Sequence, residues 1–231
     1  MEYNFAEGEI LLINKPLDWT SFDVVKKVRN TLRVKKVGHA GTLDPLASGL
    51  LILCTGKYTK RIDEIQGQEK EYTGTIRLGE ITPSYDRETE VTETCDISHL
   101  TEEEIKAAAQ SFVGTIEQVP PIYSAVMVDG KRAYDLARKG KSAELKPRTI
   151  TIKAFDITNV EGPELYFRVV CTKGTYIRSL AHDLGQKLGC GAHLSSLVRT
   201  RIGEYKLEDA LTIEDIQEIR KKQLEANGSN S

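Results

Sequence analysis

What the 231-residue chain lacks narrows it at once. No run of about 18 apolar residues is present to span a bilayer, and the opening MEYNFAEGEI has neither the basic flank nor the apolar centre of a signal peptide. A cytoplasmic protein without membrane attachment is expected. Cysteine is sparse: Cys54, Cys95, Cys171 and Cys190 stand far apart, with no CxxC pair and no histidine at metal-ligand spacing. Neither a zinc site nor a disulfide framework is suggested, so four reduced thiols are expected and no metal. Repeats and low-complexity stretches are absent. A Walker loop is missing too, because CTGKYTK has a Gly-Lys turn but lacks the first glycine at the required spacing. What remains, at 39% hydrophobic and 29% charged residues, is an ordinary globular chain with one sizeable core.

A net charge of −2 argues against a strongly basic nucleic-acid binder, but the average hides a pattern. From Asp23 to Lys36 six cations face one acid, a balance of +5; from Val126 to Ile150 seven face three, giving +4. Glu80 to Glu104 holds nine acids and one Arg, a balance of −8. Such asymmetry suits a molecule with one face for a polyanion and another turned to solvent.

The hydrophobic pattern gives mixed structure. EILLINKP reads as a buried strand ended by Pro16. TSFDVVKKVRNTL is a helix with Thr20 or Ser21 as N-cap, its apolar face built from Phe22, Val25, Val28 and Leu32. LLILC is a buried strand, EYTGTIRLG a β-segment, and TEEEIKAAAQSFVG a helix opened by a Thr101/Glu104 capping box. TITIKAFDITNV and LYFRVVCTKG form two strands joined at EGPE. A helix follows from about Tyr176 to Leu188, and a last one opens at Thr212. Without a clean βαβ rhythm, the expectation is α+β.

Asp44 in GHAGTLDPLASGLL, residues 38 to 51, is the carboxylate with the most unusual setting. Pro45 pushes it towards an extended conformation, and Gly41 and Gly49 supply bends on either side. By itself it could be nucleophile, base, metal ligand or turn-former. No DxDxT phosphatase pattern is present, and no second acid on this loop makes a glycosidase pair.

The same stretch resembles the signature of the TruB-type tRNA pseudouridine synthases. Further blocks match that family in order: NKPLDWTS (14 to 21), TGKYTK (55 to 60), KEYTGTIRLG (70 to 79), PPIYSAVMVDGKRAYDLARKG (120 to 140) and CTKGTYIRSLAHDLGQKLGCGAHLSSLVRTRIG (171 to 203). The resemblance implies a pseudouridine synthase fold, a central mixed or antiparallel sheet flanked by helices and loops with a thumb-like insertion at about 120–148. It implies one catalytic domain over 1–225, a disordered tail over 226–231 and no PUA domain. The implied reaction isomerises a flipped-out uridine at position 55 of the tRNA T-arm, without cofactor and without an obligatory protein partner, by a monomer.

Carried over by position, Asp44 becomes the nucleophile, adding to sugar or base or stabilising a sugar intermediate. Arg178 pairs with it and keeps it ionised. Tyr72 stacks on the base and serves proton transfer, Tyr176 orients the Asp44/Arg178 pair, and Leu197 packs on the base. His39 wedges into the T-loop. Lys15 and Lys60 support the site or bind phosphate, and the thumb cations Lys131, Arg132, Arg138 and Lys139 contact phosphates without reading sequence. Asp18 stands where the family usually has Gly. The absence of a PUA domain, with seven acids against four cations between Gly203 and Ala226, leads to the expectation that an isolated T-arm binds almost as well as whole tRNA. The alternatives are a guide-RNA-directed relative, a non-catalytic tRNA-folding chaperone and a glycoside hydrolase.

Overall fold

The computed structural model describes residues 3–5, 7–128, 130–140 and 145–228. In chain order the elements are β1 (Ile10–Lys15), α1 (Ser21–Leu32), β2 (Val37–His39), β3 (Ala47–Thr55), α2 (Ile62–Gln66) and β4 (Lys70–Leu78). Then come β5 (Glu80–Ile81), β6 (Glu93–Thr94), α3 (Glu102–Gln110), β7 (Gly114–Gln118), β8 (Met127–Val128), β9 (Lys131–Arg132) and α4 (Ala133–Ala137). The chain continues through β10 (Arg148–Glu161), β11 (Glu164–Cys171), α5 (Ile177–Lys187), β12 (Ala192–Ile202), β13 (Tyr205–Lys206) and α6 (Ile213–Gly228). Helices and antiparallel strand pairs are interspersed, which is the α+β arrangement read from the sequence.

Two compact units subdivide the catalytic domain expected over 1–225: residues 1–71 with 198–231, and residues 72–197. In the first, strands run β1-β3-β12, with β2 on β3 and β13 on β12. Strand β3 explains the uninterrupted apolar run LLILC. Leu51 and Leu53 point into a cluster with Val24, Val28, Leu32, Ile213 and Ile216, whereas Leu50, Ile52 and Cys54 enter a second with Ala40, Ile65 and Ile202. A strand covered on both faces loses the polar half of its alternation.

Helix α1 begins as read, with Thr20 as N-cap: its Oγ1 accepts from the Asp23 amide at 3.0 Å and the Asp23 carboxylate accepts from the Thr20 amide at 2.9 Å. One expectation fails here. Phe22 is 65% exposed, and the buried face is Ser21, Val24, Val25, Val28 and Leu32. Val24 and Ser21 centre the stripe one step from Phe22, and both 22 and 24 lie within reach of the 25/28/32 spacing.

In the second unit the strand order is β12-β4-β11-β10-β7. Phe155 of β10 and Phe167 of β11 meet edge to face at 6.2 Å between ring centres, and Gln110 at the end of α3 donates to the Phe155 carbonyl at 2.8 Å. The Thr101/Glu104 capping box of α3 is present in both directions. At the chain's end α6 runs to Gly228, so helix occupies the beginning of the expected tail; 229–231 lie outside the described residues. No helix among the described residues is long and apolar enough to cross a membrane.

Candidate active site

Asp44 lies in the first unit, on the loop between β2 and β3, and its main chain is held from several directions. The Ser21 hydroxyl accepts from the Leu43 amide at 2.9 Å and donates to the Leu43 carbonyl at 3.2 Å. Ala47 N–H closes a turn on the Asp44 carbonyl at 3.0 Å, and Asp18 N–H donates to the Pro45 carbonyl at 2.9 Å. Asp18 does so from the left-handed region, at φ 62, a conformation natural to the Gly that the family resemblance leads one to expect there.

Two buried cations complete the hold. Arg199 of β12, 1% exposed, donates from Nε to the Leu50 carbonyl at 2.8 Å, from Nη1 to Thr42 at 3.2 Å and from Nη2 to Gly41 at 3.1 Å. Lys15, wholly buried at the end of β1, donates from Nζ to the carbonyls of Trp19 at 2.6 Å, Pro16 at 2.8 Å and, at the edge of bonding range, Pro45 at 3.5 Å. A charge removed from water must be compensated by bonds of this kind. Burial pushes the Lys15 ammonium down to about 8, and Asp44 is the first of the nearby charges that oppose the fall. Gly49 admits the close approach of the Arg199 main chain: at φ 104, a Cβ there would lie 2.4 Å from the Arg199 carbonyl oxygen.

His39 is half-buried at the end of β2, and burial lowers its imidazole below the usual range, so it is neutral at pH 7. Lys60 is exposed, so of the two lysines assigned to support or phosphate, Lys15 can only support and Lys60 is open to solvent.

The remaining proposed site residues belong to the second unit. Tyr72 is buried on β4, and Leu197 is half-buried on β12 rather than in the core that its residue type alone suggests. Tyr176 is the N-cap residue of α5. Its amide donates to Gln118 Oε1 at 2.8 Å and its carbonyl accepts from Gln118 Nε2 at 3.0 Å, which fixes the start of the helix in both directions.

Arg178, 5% exposed, meets the Asp86 carboxylate at 3.6 Å and donates to the Tyr123 carbonyl at 2.9 Å. Asp86 follows Tyr85, which sits at φ 63 and stacks on His182 with ring centres 3.9 Å apart. A non-glycine residue held in the left-handed region beside a buried ion pair is strain tied to a charged site. In the expected thumb, β8 and β9 form a hairpin followed by α4; Lys131, Arg138 and Lys139 are exposed, and Arg138 lies over the Tyr134 ring at 5.6 Å. Positions 129 and 141–144 of that segment lie outside the described residues.

Sequence reasoning missed Arg199, Asp86 and Ser21 as site-shaping residues. Asp86 was hidden in the acidic run from Glu80, where only its flanking Thr82 and Ser84, both buried and both bonded to its carbonyl, set it apart. Ser21 was legible as a cap alternative only. No local pattern marks Arg199.

Known proteins share the fold. In an archaeal box H/ACA sRNP Nop10–Cbf5 complex, a chain 28% identical superposes with a TM-score of 0.73, over 96% of this chain and 57% of that one. The fold is that of the pseudouridine synthases. The model of the TruB family pseudouridylate synthase N-terminal domain matches residues 29–177, and that of the tRNA pseudouridylate synthase B C-terminal domain matches 178–227. The chain belongs to the TruB family. Among its relatives, the tRNA pseudouridine synthase B of Phocaeicola vulgatus is 55% identical over 93% of this chain and 94% of its own length. That of Bacteroides thetaiotaomicron is 52% identical over 99% and 100%.

Proposed function

We propose that the chain converts uridine to pseudouridine in tRNA, at position 55 of the T-arm, with Asp44 as the nucleophile. The observation that carries this reading is the anchoring of the Asp44 loop. A catalytic carboxylate must be presented in one geometry, and here seven main-chain groups within three residues of Asp44 are hydrogen-bonded, two of them to a buried arginine. The reaction breaks the N1–C1′ bond, turns the uracil in place and forms C5–C1′; C5 then gives up its proton to a base while N1 takes one up, so no proton is gained or lost overall. Tyr72 is assigned to stacking and proton transfer, Tyr176 to orientation, Arg178 to the positive charge of the site, Leu197 to the base and His39 to the T-loop wedge. Lys60, Lys131, Arg132 and Arg138 are assigned to phosphates. The enzyme is proposed to act as a cytoplasmic monomer, without a cofactor.

A guide-RNA-directed activity is the second reading, favoured by the likeness to the archaeal H/ACA protein. Identity weighs against it, at 28% there and 55% to a tRNA pseudouridine synthase B. The test is pseudouridine formation in a T-arm stem-loop, without guide RNA, by the wild type and Asp44→Asn. Turnover is expected from the wild type alone, with a loss in the variant of at least about 10³-fold. Turnover in the variant would end the nucleophile assignment; binding without wild-type turnover would favour the chaperone.

A further inference from the structure

The basic run from Asp23 to Lys36 has no part in the site described above, yet its last residues line a groove of the first unit. This groove, of about 1010 Å³, lies between the end of α1, the N-terminal segment and α6, and its walls carry Arg33, Lys35, Lys36, Arg220 and Lys222 beside Tyr3. No carboxylate belongs to its lining among the described residues. We propose that it binds the sugar-phosphate backbone of the tRNA outside the T-arm, a proposal that rests on the tRNA reading above.

Four observations support an RNA occupant. Arg33 sits at the C-cap of α1 with φ 55, a position where glycine is the default, so a cation is held there against the backbone preference of its residue type. Among the described residues, neither Arg33, Lys35 nor Lys36 enters an ion pair, and all three are exposed. Lys222 is paired with Glu218 at 2.7 Å, but the Arg220 Nε is buried without a hydrogen-bond partner among the described residues. Tyr3 stacks on Phe5 with ring centres 5.1 Å apart, giving the groove an aromatic wall of the kind that accepts nucleotides. Closely spaced cations without partners suit a chain of phosphates more than one small anion, and the volume is well above that of a phosphate ion.

This differs from the expectation that a T-arm alone binds almost as well as whole tRNA. That expectation rests on the absence of a PUA domain and on charge summed along the C-terminal segment. The groove instead gathers cations from residues 33–36 and 220–222, which are far apart in sequence.

The experiment measures Kd and turnover for an unmodified whole-tRNA transcript and for the T-arm stem-loop, over a salt series. It compares the wild type with Lys35→Glu/Lys36→Glu and, as a milder pair, Lys35→Gln/Lys36→Gln. The wild type is expected to bind whole tRNA about 10-fold more tightly than the stem-loop at low salt. The glutamate variant should lose that advantage and lower the salt dependence for whole tRNA by about two phosphate contacts, while stem-loop affinity and turnover stay within about twofold. The glutamine variant should fall between. Equal losses on both RNAs, or no loss on either, would overturn the proposal. If the wild type forms no pseudouridine in either RNA, the enzymatic reading fails, and the affinity ratio still decides the groove.

Discussion

Lys15 is a buried ammonium whose pKa and position both bear on Asp44. Its proton leaves the native state near pH 8, against 10.5 for an ordinary lysine, because burial disfavours the charge. Activity should therefore fall above about pH 8, as the cation facing Asp44 and three carbonyls is lost. Stability should move the other way. Between about pH 8 and 10.5 the unfolded chain binds the proton that the native chain has released, so this group's contribution to stability rises with pH. A kcat/KM profile on the T-arm stem-loop beside urea unfolding at each pH separates the two effects. Lys15→Arg should move the alkaline limb upward; a limb left near pH 8 in that variant would assign it to another group.

Among the elements, β3 carries a close main-chain approach at which a single added methyl is costly. Gly49→Ala would place a Cβ against the Arg199 main chain at a positive φ, and is expected to destabilise by about 2–4 kcal/mol in urea unfolding. Gly114→Ala is the control, since it has φ 123 with open space and should lose only the conformational part of that cost, about 1–3 kcal/mol, and less than Gly49→Ala. Equal losses at the two positions would mean that backbone conformation, not the close approach, sets the cost. Much at this scale was legible in the sequence. The Thr20 and Thr101 caps, the LLILC strand and the EGPE turn depend on neighbours within a few residues, and each stands where read. Phe22 was misplaced because periodicity finds a face only to within one residue. Arg199 could not be found this way. Its role is to donate to carbonyls about 150 residues earlier, and a carbonyl is the same in every residue type.

At the scale of the whole molecule, the modest net charge conceals three places, among the described residues, where a non-glycine residue adopts a left-handed backbone. These are Asp18 beside the Asp44 loop, Tyr85 before the Arg178 partner Asp86, and Arg33 in the basic groove. Each stands next to a charged feature assigned a role above, a coincidence that composition cannot reveal. Strands β4 and β12 each contribute residues to both compact units. Unfolding should then be a single transition: fluorescence of Trp19, the lone tryptophan and a reporter of the first unit, should give the same urea midpoint as far-ultraviolet circular dichroism. Separate midpoints would mean that the units melt independently. The grip of Arg199 has a consequence for redesign. Because it reads main-chain oxygens, the side chains of Thr42 and Leu50 contribute nothing to its three bonds. A variant library that exchanges Thr42, leaving the glycines in place, inherits the anchor intact, so altered RNA preference can be sought beside Asp44 without rebuilding its support.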